Sequence, residues 1–162
     1  MTFRKLFVFS AFSFACGSSA PTNFAGTYTL TTTENANDCS LPNWTQGSST
    51  TFTATFTQDG TNAQITVQGA AALFLDVYVG TPTFQGTVSG DTFTTEYIGT
   101  KTGTQGTCSF TVNIGISASL NSNNVISGTI TLTPVTNHDA ACGAMNTCVD
   151  NTETVSGNRT SP

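Results

Sequence analysis

From Cys108 to Pro134 the chain places an apolar or small residue at every second position. Phe110, Val112, Ile114 and Ile116 alternate with Thr111, Asn113, Gly115 and Ser117, and after Asn121-Ser122-Asn123-Asn124 the rhythm resumes at Ile126, Gly128, Ile130 and Leu132. A period of two sends successive side chains to opposite faces of a strand, and the Asn-rich break is turn chemistry. The stretch therefore reads as a β-hairpin with one apolar and one hydroxyl-rich face. The same alternation recurs on both sides of it and no segment carries a convincing helical period, so the expected fold class is all-β.

The other strands follow the same rule. Phe24, Gly26, Tyr28 and Leu30 alternate with Ala25 and threonines in the first, and Glu34 to Ser49 is an aperiodic loop holding Cys39, Pro42 and the only tryptophan, Trp44. Phe52, Ala54 and Phe56 lead through Asp59-Gly60, a tight-hairpin signal, into Ala63, Ile65 and Val67. Phe84, Gly86 and Val88 face Phe93, Thr95 and Tyr97 across Ser89-Gly90-Asp91, and a last strand runs from around Val149 to Ser156, interrupted by Asp150 and Glu153. Thr100 to Thr107 and Val135 to Thr147 read as loops. Gly69 to Thr83 admits three readings: a loop, a helical turn through Ala70–Leu75, or an extra strand at Val77–Val79. The chain has 34 threonines, mostly at the outward positions of these strands, where a β-branched polar residue suits a pleated surface. Eight antiparallel strands joined to their sequence neighbours predict an up-and-down barrel, with a β-sandwich as the alternative.

Direction can be counted outwards from the Cys108–Pro134 hairpin. If its turn marks one end, the turns at Asp59-Gly60 and Ser89-Gly90-Asp91 fall at that end, with both termini. The long loops then share the opposite end and bring Cys39, Cys108, Cys142 and Cys148 together, as the short Cα separation of a disulfide requires. A separate strand at Val77–Val79 would move Cys39 to the far end. Of the five cysteines, Cys16 stands apart near the N-terminus, and the other four, an even number in an exported chain, favour two disulfides over metal ligation; with a single histidine no structural zinc site is expected. Neighbour relations point to Cys39–Cys148 with Cys108–Cys142, while Cys142–Cys148 with Cys39–Cys108 stays open.

The export expectation comes from residues 1–15, where Arg4 and Lys5 precede the apolar run Leu6–Ala15, the layout of a secretory signal. Ten apolar residues are too few to span a bilayer as a helix. Ser13-Phe14-Ala15-Cys16 resembles the lipobox of bacterial lipoproteins, with Ser where the family usually has Leu. That resemblance implies lipidation of Cys16 and anchoring in the bacterial cell envelope, at the outer membrane or cell surface. The small polar residues from Gly17 to Asn23 read as a tether, giving a lipidated N-terminus and tether over 16–23, and the chain length points to a single domain over 24–160. Cleavage after Ala20 is the competing reading. Without the leader, Lys101 and Arg159 stand against nine acidic residues, a formal charge of −7, so nucleic acid and anionic lipid headgroups are poor partners.

Gly26-Thr27-Tyr28 resembles the G-x-W signature of calycins, the lipocalin-like and avidin-like barrels, with Tyr in place of Trp. The resemblance implies that Arg159, after the last strand, packs over Tyr28 at the closed end. Such a barrel is wide enough either to be filled by its own side chains or to hold one small ligand. Eight rings, among them Phe24, Tyr28, Phe56 and Phe93, are expected to point inwards beside Gly26, Gly86 and Gly128. At the loop end Trp44, Phe74, Tyr78 and His138 are the candidate contacts for a small apolar ligand or a glycan. His138-Asp139 is a poor catalytic pair because adjacent side chains point apart, and no serine-nucleophile, zinc-protease or phosphate-loop motif is present. No catalytic residue, metal or cofactor is expected, and the carboxylates Asp76, Asp91, Glu96, Asp150 and Glu153 read as acidic surface.

Overall fold

The computed structural model describes residues 20–162; the leader and the lipidation site at Cys16 lie outside them. The strands are β1 (Gly26–Glu34), β2 (Ser49–Asp59), β3 (Asn62–Val67), β4 (Thr83–Ser89), β5 (Thr92–Tyr97), β6 (Gly103–Gln105), β7 (Cys108–Leu120), β8 (Val125–Thr136) and β9 (Asn151–Ser161). A helix, α1 (Gly69–Tyr78), follows β3, and a kinked 3₁₀ segment, Ala140–Asn146, precedes β9. Neighbours run β5-β4-β3-β2-β1-β9-β8-β7, and β5 pairs with β7 to close an antiparallel barrel of eight strands. β7 and β8 are the hairpin of the alternating stretch, paired from Phe110↔Thr136 to Leu120↔Ile126.

Three details differ from the sequence expectation. The ambiguous stretch after Val67 is a helix of ten residues, not a loop, a single turn or a strand. Thr100–Thr107 is not all loop, because Gly103–Gln105 pairs with Cys108–Phe110 around a turn where Gly106 takes φ +62°. β6 therefore lies on the same edge of β7 as β5, farther towards the loop end, as a short extra strand beside the eight that close the barrel. The last strand runs on from Asn151 to Ser161, because its far half continues the ladder with β1 as far as Thr27↔Ser161.

The tight turns β2–β3, β4–β5 and β7–β8 share one end with the start of β1 and the end of β9, and the long connections share the other. All four cysteines lie at the loop end, bonded as Cys39–Cys148 and Cys108–Cys142 with Cα separations of 5.2 and 4.9 Å. Two disulfides are the chemistry of an oxidising compartment outside the cytoplasm. Among the described residues no helix is long and apolar enough to cross a membrane.

Alternation decides what the barrel contains. Inward Phe56 and Phe93 meet edge-to-face at 5.3 Å, Tyr28 meets Phe56 at 5.3 Å, and Phe24 sits 5.7 Å from Phe56. Ring centroids at such distances are the preferred packing of aromatic pairs. Leu30, Ile65, Val88, Ile114, Ile126 and Val155 complete this core, and Phe84 packs on Tyr97 at 5.7 Å. Backbone comes close where the inward side chain is missing: a Cβ at Gly128 would overlap the Ser117 carbonyl oxygen, and one at Gly86 the Thr94 carbonyl oxygen. Outside, hydroxyls pair across strands, as in Thr31 with Thr51 and Thr33 with Ser49, both at 2.8 Å.

At the turn end Arg159 donates from Nε to the Tyr28 hydroxyl at 2.8 Å, and its guanidinium lies 5.3 Å from the centre of the Tyr28 ring. The Tyr28 hydroxyl donates in turn to the Phe24 carbonyl oxygen at 2.9 Å. Burial pushes the Tyr28 phenol up, and Arg159 partly offsets it.

Candidate interaction surface at the loop end

Opposite the Tyr28–Arg159 contact, the barrel mouth is closed by a second apolar cluster. Cys39, Leu41, Cys108, Cys142 and Met145 are buried there, with Trp44, Phe110, Leu132 and Cys148 packed against them. Asn151, 1% exposed, stitches the plug to the barrel: its Oδ1 accepts from the Cys39 amide at 2.9 Å and its Nδ2 donates to Asn37 Oδ1 at 2.7 Å. Trp44 is half-buried in this plug, and its Nε1 donates to the Asn35 carbonyl oxygen at 2.9 Å.

His138 is exposed, in a left-handed conformation at φ +60°. The Asp139 carboxylate accepts from the Ala141 amide at 2.8 Å and the Thr107 hydroxyl at 2.9 Å. Those two bonds hold the Asp139 carboxyl below the usual carboxylate range, as befits a residue capping the 3₁₀ segment.

Phe74 and Tyr78 lie on α1. Ala70-Ala71-Ala72-Leu73 are strong helix formers, which lets a helix form across the barrel rim between β3 and β4. It ends where Val79 and Gly80 both donate to the Leu75 carbonyl oxygen, with Gly80 at φ +106° and Pro82 following. Ala71, Leu75 and Val79 pack inwards on the barrel core. At 100° per residue the opposite side of the helix carries Ala70, Leu73, Phe74 and Val77, with Tyr78 on the flank. Leu73 is 71% exposed, Phe74 56%, Val77 64% and Tyr78 54%, and the Phe74 and Tyr78 rings stack at 4.5 Å. A surface helix ordinarily turns polar residues to water. Here the outer face is apolar, and Asp76 is the one charged residue of the helix.

The structure thus brings Phe74 and Tyr78 together on an exposed face and holds Trp44 and His138 in other parts of the loop end. Leu73 and Val77, which complete the face, were not legible: a run that is apolar throughout does not distinguish helix from strand by period.

Two concavities among the described residues are open surface troughs. One, of about 500 Å³, lies on the outer wall of β4, β5, β7 and β8 among Gln85, Thr87, Thr94, Glu96 and Thr129. The other, of about 380 Å³, lies between β2 and the start of α1, beside Phe52 and Ala71. Among the described residues no group of three or more histidine, cysteine or acidic side chains is arranged to hold a metal ion.

One carboxylate pair emerges that strand spacing did not reveal. Glu34 and Glu153 lie directly opposite on β1 and β9, both inward, at the rim. Burial raises the Glu153 carboxyl above the usual range; the Thr32 hydroxyl beside it offsets part of the rise, and the Glu34 charge adds to it. Glu34 also accepts from the Thr45 amide at 2.5 Å, tying down the loop that carries Cys39 and Trp44. A carboxyl whose folded pKa lies above its unfolded value binds its proton more tightly when folded, so stability falls as pH rises between the two. The protein is therefore most stable, as far as Glu153 is concerned, below the ordinary glutamate value, and that contribution is lost as pH rises through the raised one. Thermal unfolding of Glu153→Gln from about pH 4 to about pH 8 is expected to lack this decline, leaving the variant more stable than the parent at the alkaline end. An unchanged pH profile would remove Glu153 as its source.

With this geometry in hand, no protein-family model, curated protein or solved structure matches the chain.

Proposed function

We propose that this is an exported bacterial lipoprotein, anchored through Cys16, whose filled barrel is a rigid stand for an interaction surface at its loop end. The observation that carries the reading is the contrast between its two apolar regions. The barrel axis is occupied by Phe24, Phe56, Phe93 and Tyr28 and its mouth by the cystine plug, while the outer face of α1 stays uncovered. An interior pocket for a small ligand needs room that these rings take up. An apolar patch left exposed on a monomer marks a contact site more often than chance.

The resemblance to calycins supports the architecture, and the Arg159–Tyr28 contact is of the kind it implies; it carries no ligand with it. Because β1 begins at the turn end, a lipid on Cys16 directs that end to the membrane and the plug and α1 away from it. The trough beside α1 favours the second reading, in which a small apolar ligand or a glycan binds at the loop end from outside the barrel.

Intact mass of the protein recovered from its own membranes tests the anchor. The expected mass is that of a chain starting at Cys16 plus acyl groups. An unmodified chain starting at residue 21 would overturn lipid anchoring and show release by ordinary cleavage.

A further inference from the structure

The outer face of α1 is a helix surface without its partner. A helix apolar on all sides belongs in a core, yet no residue between Gly69 and Tyr78 is fully buried. What covers it must match the charge around it. Six of the nine acidic residues lie at the loop end: Asp76 on α1, and Glu34, Asp38, Asp139, Asp150 and Glu153 on the β1 and β9 side of the mouth, where Glu34 and Glu153 turn inward. Among the described residues Lys101 is the single Lys or Arg there, its stem against Gly80 at the end of α1. Asp76 is on the helix itself, and Glu96 is high on the neighbouring wall.

An acidic end repels a second copy of itself and anionic lipid alike. The apolar face is also small: two aliphatic side chains and two rings, between about half and three-quarters exposed, offer less than the about 800 Å² per partner of a standard stable dimer. A segment that brings its own positive charges gains on both counts, with apolar side chains against Leu73, Phe74, Val77 and Tyr78 and cations drawn to the acidic rim.

We propose that α1 is the docking face for a basic amphipathic segment of a partner protein. The inference deepens the interaction-module reading and rests on its use of the loop end, but not on the lipid, so the mass measurement above and the binding test below fail separately.

The test uses the full chain and two synthetic amphipathic helices of about 18 residues with one pattern, one leucine and lysine, the other leucine and glutamate. The lysine peptide is expected to bind at least about tenfold more tightly than the glutamate peptide, and to weaken severalfold between about 0.05 M and about 0.5 M salt. The double substitution Leu73→Ser with Val77→Ser should cost at least about tenfold in affinity, since burying even one of the two aliphatic side chains contributes roughly that much. Asp76→Lys, which leaves the apolar face intact, should cost severalfold by charge reversal. Unchanged thermal unfolding of both variants shows that the fold is kept. Absence of lysine-peptide binding, equal binding of both peptides, or binding indifferent to both variants overturns the proposal. So does dimerisation of the chain, or attachment to phosphatidylcholine vesicles, that the double substitution abolishes.

Discussion

Replacing Cys39 and Cys148 together with serine is expected to lower the stability of the oxidised protein by about 4 to 5 kcal/mol. The bridge joins residues 109 apart, and cross-linking stabilises chiefly by restricting the unfolded chain, more so for a longer loop. The Cys108–Cys142 bridge spans 34 residues, and its removal should cost roughly 1 kcal/mol less. The first bridge also fastens the loop from Asn35 to Ser48, which supplies Leu41 and Trp44 to the plug, onto the start of β9. Urea unfolding of the two double-serine variants, with the remaining bridge kept oxidised, measures both. Equal losses would mean that local packing of the plug, not loop length, sets the contribution of each bridge.

Phe93→Ala is expected to cost about 3 to 5 kcal/mol, the range for emptying a large aromatic site in a core that cannot collapse around it. Phe93 is fully buried, meets Phe56 edge-to-face and Phe24 at 6.2 Å, and stands on β5, whose pairing with β7 closes the barrel. The site can relax only by distorting that seam. Phe74→Ala removes the same side chain from the outer face of α1, and there the expected change is within about 0.5 kcal/mol, as for other surface positions. Two phenylalanines of one protein, one filling the axis and the other exposed, thus separate core from contact surface in a single pair of unfolding curves. A comparable loss from both would place α1 in the folding core and remove the reason to regard its outer face as unpartnered.

Most of the architecture was legible because alternation is local. Phe110 to Leu132 specifies a hairpin without reference to the rest of the chain, and a hairpin fixes direction as well as identity. Counting from it placed the cysteines at one end and favoured the pairing that the structure contains. The helix escaped for a physical reason: Ala70 to Val79 is apolar on nearly every side, with Asp76 its one charge, so neither period stands out, and what makes it a helix is the alanine run and the need to cross the rim from β3 to β4. Glu34 and Glu153 escaped for another. Their juxtaposition depends on the β1–β9 register, which closes the barrel between residues nearly the whole domain apart. At the loop end Phe74 and Tyr78 could be singled out as aromatics in an ambiguous segment, but Trp44 has the same composition signal and serves the plug instead, through its bond to the Asn35 carbonyl. Composition does not say which aromatic a cystine-tied loop will fold over.

The account stands on an axis filled by the protein's own rings. Native mass spectrometry of the protein purified from its own host is the most direct measurement of that. The account predicts the mass of the processed polypeptide with its two disulfides and any covalent acyl group, and no retained small molecule. A stoichiometric apolar molecule that stays bound to the native protein, is released on unfolding and is not displaced by substitutions on the outer face of α1 would place a ligand inside the barrel and contradict it.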